Sequence, residues 1–231
     1  MNACLRSNNR LFPPWVNERA NGHRVSERKP STTGKVIFAA VALWSAFSVR
    51  AETGTEAGPS AGQLSLRVVS VVDRFPPYEE FCRRQPDECD LSGDTVAIHS
   101  PELIRKLIVI NASVNHEIRF ALDASQYGSE EHWALPVSGY GDCEDLALEK
   151  RSRLAKFGVT RGALRLAFVF HKRHLNSHCV LTIETSRGTY ILDSFTDEVF
   201  RWDRVLYNFE ARERSDGRWD RFDQTGWSYE Y

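Results

Sequence analysis

Gly141-Asp142-Cys143-Glu144-Asp145 constrains the fold more than any other stretch of this 231-residue chain, because it reads as a turn that opens straight into a helix. Asp142 has the character of an N-cap and Asp145 follows three residues later. Leu146, Ala147, Leu148, Leu154, Ala155 and Phe157 then recur at helical spacing until Gly158. A helix over 143–157 puts the Cys143 thiol at the positive end of a helix macrodipole. Unpaired N–H groups there favour the thiolate, the nucleophilic form. A buried cysteine in an ordinary capped helix gives the same local pattern.

A second element narrows the choice. His178 to Glu184 reads as a strand, Ser186-Arg187-Gly188 as a turn and Thr189 to Asp193 as the returning strand. Alternation puts Cys179, Leu181, Ile183, Tyr190 and Leu192 on a core face. His178 and Asp193 fall on the opposite, more polar face, a diagonal step apart at the open end of the hairpin. A bulge at Gly188 would shift the register by one residue and separate them. Taken singly, His178 can be a strand-edge histidine and Asp193 the start of a turn. Together, Cys143 as nucleophile, His178 as base and Asp193 as the group orienting the imidazole form a thiol triad.

Tyr127-Gly128, Trp133-Ala134-Leu135-Pro136, Gly139 through Ala147, His178-Cys179-Val180-Leu181 and Ile191-Leu192-Asp193 resemble the bacterial transglutaminase-like cysteine peptidases, a family that includes periplasmic proteases releasing surface adhesins. The resemblance spans roughly Phe75 to Trp202. It implies an α+β, papain-like (transglutaminase-like) core with the nucleophile at a helix N-terminus and the His and Asp on neighbouring antiparallel strands. Carried over by motif, the triad is Cys143, His178 and Asp193. Cys179 departs from the small residue expected after the histidine, and reads as a core-facing substitute or a second, oxidisable thiol.

Asp142, Glu144 and Asp145 set three carboxylates beside a thiol that must ionise, which disfavours the thiolate. A calcium ion there would reverse the local sign and fix the helix start. The resemblance points the same way, with Asp142 and Glu144 as the matching ligands. Alternatively these acids only cap the helix and meet its dipole. No organic cofactor is expected. Trp133, ten positions before Cys143, either lines the cleft and supports an oxyanion or packs the helix on the sheet.

Cys82 and Cys89 bracket a short polar loop and are expected to pair in an oxidising compartment. His171, His174 and His178 fall at spacings a zinc site can use, but the first two sit in a basic loop. Ahead of the domain, Arg19, Arg24, Arg28, Lys29 and Lys35 precede an apolar run from Val36 to Val49. That pattern reads as a signal peptide, the run being short for a membrane span. The expected organisation is a leader over 1–51, a linker over 52–66 and a cysteine peptidase domain over 67–231. The protein is then periplasmic or secreted, with membrane attachment only through an uncleaved leader.

A net charge of −1 leaves no basic surplus for phosphate neutralisation, so no nucleic-acid partner is expected. The Arg-rich stretch 212–221 is interleaved with acids and reads as a solvated face, and Trp219 and Trp227 as parts of a polar tail. Pro101 to Phe120 reads as an amphipathic helix capped by Ser100, and Leu164 to Phe170 as a central strand. The expected function is an exported, monomeric cysteine peptidase acting on a surface or periplasmic protein through an acyl-enzyme. Acyl transfer to an amine uses the same triad, and a binding module that has lost turnover is the non-enzymatic alternative.

Overall fold

A computed structural model describes residues 62–230. The leader, and the stretch 52–61 of the expected linker, lie outside the described residues. The described residues form nine strands and four α-helices: β1 (Val68–Val72), α1 (Pro76–Arg84), α2 (Pro101–Glu117), β2 (Arg119–Phe120), α3 (Asp123–Gln126), β3 (Tyr140–Gly141), α4 (Cys143–Lys156), β4 (Leu164–His171), β5 (Ser177–Thr185), β6 (Gly188–Asp193), β7 (Thr196–Arg201), β8 (Tyr207–Glu213) and β9 (Trp219–Phe222). Seven strands form an antiparallel sheet in the order β1-β9-β8-β4-β5-β6-β7, and β2 pairs with β3 in a separate two-stranded parallel piece. The fold is thus mixed helix and antiparallel sheet, with α4 against β5 and α2 against β7.

Helix α2 follows its amphipathic pattern: Leu103, Leu107, Ile110, Val114 and Ile118 are all buried, and Ser100 Oγ accepts the Leu103 N–H at 3.1 Å. It ends at Glu117 rather than Phe120, because Arg119 and Phe120 turn extended to pair with Tyr140 and Gly141. Helix α4 stops at Lys156. Gly158 then adopts φ +83°, the left-handed conformation that lets the chain reverse without a Cβ penalty.

Strand β4 is the fourth of the seven, as its continuous apolar run suggests. Leu181 pairs with Leu192 and Ile183 with Tyr190, so the hairpin keeps the register in which Gly188 causes no slip. Cys179, Leu181, Ile183 and Leu192 join the main core with α1, α2 and α4. The opposite face is not simply polar. Val180 and Ile191 enter a second apolar cluster with Leu64, Ala167, Val169, Tyr207, Phe209 and Phe222.

Two sequence expectations are corrected at the C-terminal end. Trp219 is fully buried in β9, stacked on Phe168 with ring centroids 5.0 Å apart, instead of lying in a polar tail. Arg212 and Glu213 are buried as well: Arg212 pairs with Glu184, and Glu213 with Arg151 at 2.8 Å. The solvated reading holds for Arg214, Asp216 and Arg218, which pair with one another in the turn between β8 and β9. Cys82 and Cys89 form the expected disulfide, with Cα atoms 5.5 Å apart, joining α1 to the 3-10 turn Pro86–Cys89.

Residues 62–66, which composition groups with the linker, are packed onto the sheet. Leu64 is buried in the second cluster, and its N–H donates to Thr189 Oγ1 at 2.7 Å. The Thr189 N–H and the Trp202 indole N–H both donate to the Gly62 carbonyl, at 3.0 Å each. A Cβ on Gly188 would stand 2.4 Å from that same oxygen, which is why the hairpin turn carries glycine there.

Candidate active site

His178, the second residue of β5, and Asp193, the last of β6, are in direct contact: His178 Nε2 lies 2.8 Å from Asp193 Oδ1, with both side chains buried. Burial alone would raise the Asp193 carboxyl. The charge of His178 and hydrogen bonds from His178, the Tyr207 hydroxyl and the Phe195 N–H outweigh it and hold its pKa at about 2. Tyr207 Oη donates to Asp193 Oδ2, and Phe195 N donates to Oδ1 at 3.0 Å. The Phe195 ring stacks on the imidazole with centroids 4.1 Å apart. Nδ1 of His178 is buried and lacks a hydrogen-bond partner.

Cys143 is the first residue of α4 and is buried in the main core together with Cys179, the neighbour of His178. Its sulfur lies 3.2 Å from Glu144 Oε2. Cys179 is a free thiol, fully buried; burial pushes its pKa up and the charge of Asp142 adds to the shift. Of the three residues singled out from sequence, the structure joins His178 and Asp193 directly and sets Cys143 at the end of the helix lying on their strand.

Five carboxylates crowd the start of α4. Atoms of Asp123, Asp142 and Asp145 lie within 4.8 Å of one another, as do atoms of Asp123, Glu131 and Glu144. Asp142 occupies the N-cap position but makes no side-chain capping bond, which corrects the reading of this residue as a conventional cap. Asp123 Oδ1, Asp142 Oδ1 and Asp145 Oδ2 are buried without a hydrogen-bond partner. Asp145 Oδ1 instead accepts the Ala134 N–H at 2.8 Å, tying α4 to the preceding loop. Gly141 permits this crowding, since a Cβ there would come within 2.8 Å of Asp145 Cβ.

Burial raises every member of the group, and the charges of neighbouring acids add to it for Asp123, Glu131, Glu144 and Asp145. Asp123 is pushed up to about 7, Glu131 to about 8 and Asp145 to about 9, and Asp142 and Glu144 are also raised. Unpaired buried carboxylates cost free energy unless they are protonated or neutralised by a cation. Oxygen-rich, acidic and crowded, this donor set suits a hard divalent ion such as calcium. Asp142 and Glu144 were legible in the sequence beside Cys143. Asp123 opens α3 and Glu131 lies in the stretch after it, and neither leaves a local signal.

Trp133 is buried at 1 % exposure among Phe75, Tyr78 and Phe168, and its indole N–H points to Glu131 Oε2 at 3.3 Å. Of the two readings of Trp133, this is the packing one: the side chain fills the core, and its indole donor is engaged by Glu131. The zinc spacing dissolves too, since His178 is committed to Asp193 while His171 Nδ1 accepts backbone N–H groups. Among the described residues, no helix is long and apolar enough to cross a membrane.

Comparison with known proteins closes the description. Solved structures of Legionella pneumophila LapG are similar to this chain: one at 25% identity and TM-score 0.45, covering 55% of this chain and 74% of LapG. A calcium-bound form of LapG is similar at 20% identity and TM-score 0.46, covering 67% and 87%. The search of curated proteins finds no match. Residues 71–226 match the family described as bacterial transglutaminase-like cysteine proteinase, so the chain belongs to that family of cysteine peptidases.

Proposed function

We propose that the protein is an exported cysteine peptidase in which Cys143 is the nucleophile, His178 the base and Asp193 the group that orients the imidazole. The buried His178–Asp193 pair carries this reading. With Nε2 bonded to Asp193, the ring nitrogen left to take a proton is Nδ1, which has no other partner. Proton transfer from the Cys143 thiol to His178 gives a thiolate favoured by the α4 N-terminus. The thiolate attacks a peptide carbonyl, the protonated His178 gives its proton to the leaving amine, and water releases the acyl-enzyme. Tyr207 and the Phe195 N–H keep Asp193 ionised and aimed throughout.

A calcium ion belongs to the same reading. Asp123, Asp142 and Asp145 would hold it, with Glu131 and Glu144 beside them. When bound, it supplies positive charge that offsets the acids next to the thiol and fixes the start of α4. The substrate is a protein of the cell surface or periplasm, reached through export by the 1–51 leader.

Labelling of the reduced protein tests the triad. Iodoacetamide at near-neutral pH should modify Cys143 well ahead of the buried Cys179, and His178→Ala should slow Cys143 alone. Peptide cleavage should fall about a hundredfold or more in His178→Ala. Equal labelling of both cysteines, unaffected by His178→Ala, would remove the triad. Supplying a primary amine as competing acceptor then separates hydrolysis from acyl transfer.

A further inference from the structure

A cavity of about 720 Å³ opens beyond the His178–Asp193 pair, walled in part by Phe195, Tyr207, His171, His174 and Arg204. Phe195 belongs to both places. It lines this cavity while its ring stacks on His178, so an occupant sits one ring away from the imidazole.

Besides the hydroxyls of Ser194 and Thr196, the wall carries groups that can donate to an anion, His171 and Arg204 among them. His171 Nδ1 accepts the N–H groups of Arg173 and His174, each at 3.1 Å, so the ring proton of neutral His171 resides on Nε2. Burial lowers the His171 pKa and the neighbouring His174 lowers it further, keeping that neutral form. Arg204 has no carboxylate to itself: adjacent Asp203 is taken by the Arg201 fork at 2.7 and 2.6 Å. Asp193 is the one acid of the wall, and both of its oxygens are occupied by His178, Tyr207 and the Phe195 N–H. A guanidinium and an imidazole N–H in a wall whose one carboxylate is already engaged are complementary to a carboxylate.

We propose that this cavity is a substrate subsite that takes an aspartate or glutamate side chain of the peptide, with Arg204 binding the carboxylate and His171 donating to it. The assignment as a substrate subsite rests on the peptidase reading; the carboxylate preference does not. Apolar rings flanking the donors would cover the methylenes of the bound side chain.

The test uses the reduced Cys143→Ala protein and two blocked pentapeptides, acetyl-Gly-Gly-Glu-Gly-Gly-amide and its Gln counterpart. Proton NMR of the His171 and His174 ring C–H groups should report saturable shifts with the Glu peptide. The Gln peptide should bind about tenfold more weakly or not at all, and Arg204→Gln should erase the difference. Equal shifts with both peptides, or none with either at millimolar concentration, would overturn the subsite. Cleavage profiling of a peptide library follows with the protein carrying Cys143. A Glu or Asp preference at one position, lost in Arg204→Gln, supports the assignment, and a profile indifferent to acidic residues overturns it. Should the Glu peptide bind while no peptide is cleaved, the peptidase reading fails and the carboxylate site stands.

Discussion

Two buried charged groups of this molecule solve the same problem in opposite ways. Around Arg151, charges of both signs meet: its guanidinium donates to Glu213 at 2.8 Å and to the Tyr78 hydroxyl at 3.2 Å, while Tyr78 and the Leu166 N–H also donate to Glu213. Around Asp142, five carboxylates meet, and among the described residues none of them forms an ion pair. The first group is neutralised from within the chain and behaves as part of the core. The second needs a proton or an ion from outside, and it lies at the helix end that carries Cys143. Residue types of equal polarity therefore mark structure in one place and a candidate site in the other.

The largest effect should come from breaking the paired group. Arg151→Met leaves Glu213 buried without its counter-charge and should cost about 3–5 kcal/mol in urea unfolding. A loss below 1 kcal/mol would mean that Tyr78 and Leu166 alone satisfy Glu213, and would erase the contrast.

Next in size is the response of the acidic group to calcium. Chelator-treated protein should gain about 2.7 kcal/mol when calcium is supplied at a hundred times its dissociation constant. Asp142→Ala and Asp145→Ala should remove most of that gain. The pH dependence gives an independent check. Carboxyls whose folded pKa values are raised to about 7, 8 and 9 contribute stability that is complete below the ordinary carboxylate range and is lost as pH rises through those values. Without calcium, stability should fall between pH 5 and 9, and calcium should flatten the curve. Asp193, held at about 2, acts in the opposite sense, with stability present above its ordinary range and lost as pH falls toward 2. A chelated protein with a flat profile from pH 5 to 9 would show that the acids are neutralised some other way.

The smallest effect separates two helix starts. Ser100→Ala removes a real capping bond and should cost about 1 kcal/mol. Asp142→Ala removes no side-chain cap and relieves repulsion, so in chelator it should leave stability unchanged or raised. A loss in chelator equal to that of Ser100→Ala would return Asp142 to the role of an ordinary cap.

Legibility tracks how local the determining physics is. Helix α2 and helix α4 follow from periodicity and capping within a few residues, and the diagonal relation of His178 to Asp193 follows from alternation once the turn at Gly188 leaves the register unshifted. The polar appearance of 212–221 misleads because the charges of the turn pair with each other, whereas Trp219 is drawn into the core by pairing of β9 with both β8 and β1. Tyr207 and Phe195, which position Asp193 and His178, are ordinary aromatic residues in sequence. Their roles arise from contacts across strands. Asp123 and Glu131 are likewise invisible until α3 and the stretch after it are brought against α4.

The clasp between Gly62 and the hairpin has a mechanical consequence. Two hydrogen bonds converge on the Gly62 carbonyl and a third joins Leu64 to Thr189, so the segment entering the domain is fastened to β6 and Trp202 rather than to the edge strand β1 that follows it. Load applied to the chain ahead of Gly62 is delivered first to β6, which ends in Asp193. A pull on the chain ahead of Gly62 is thus carried by the strand of the imidazole's partner before it can peel the sheet from its edge.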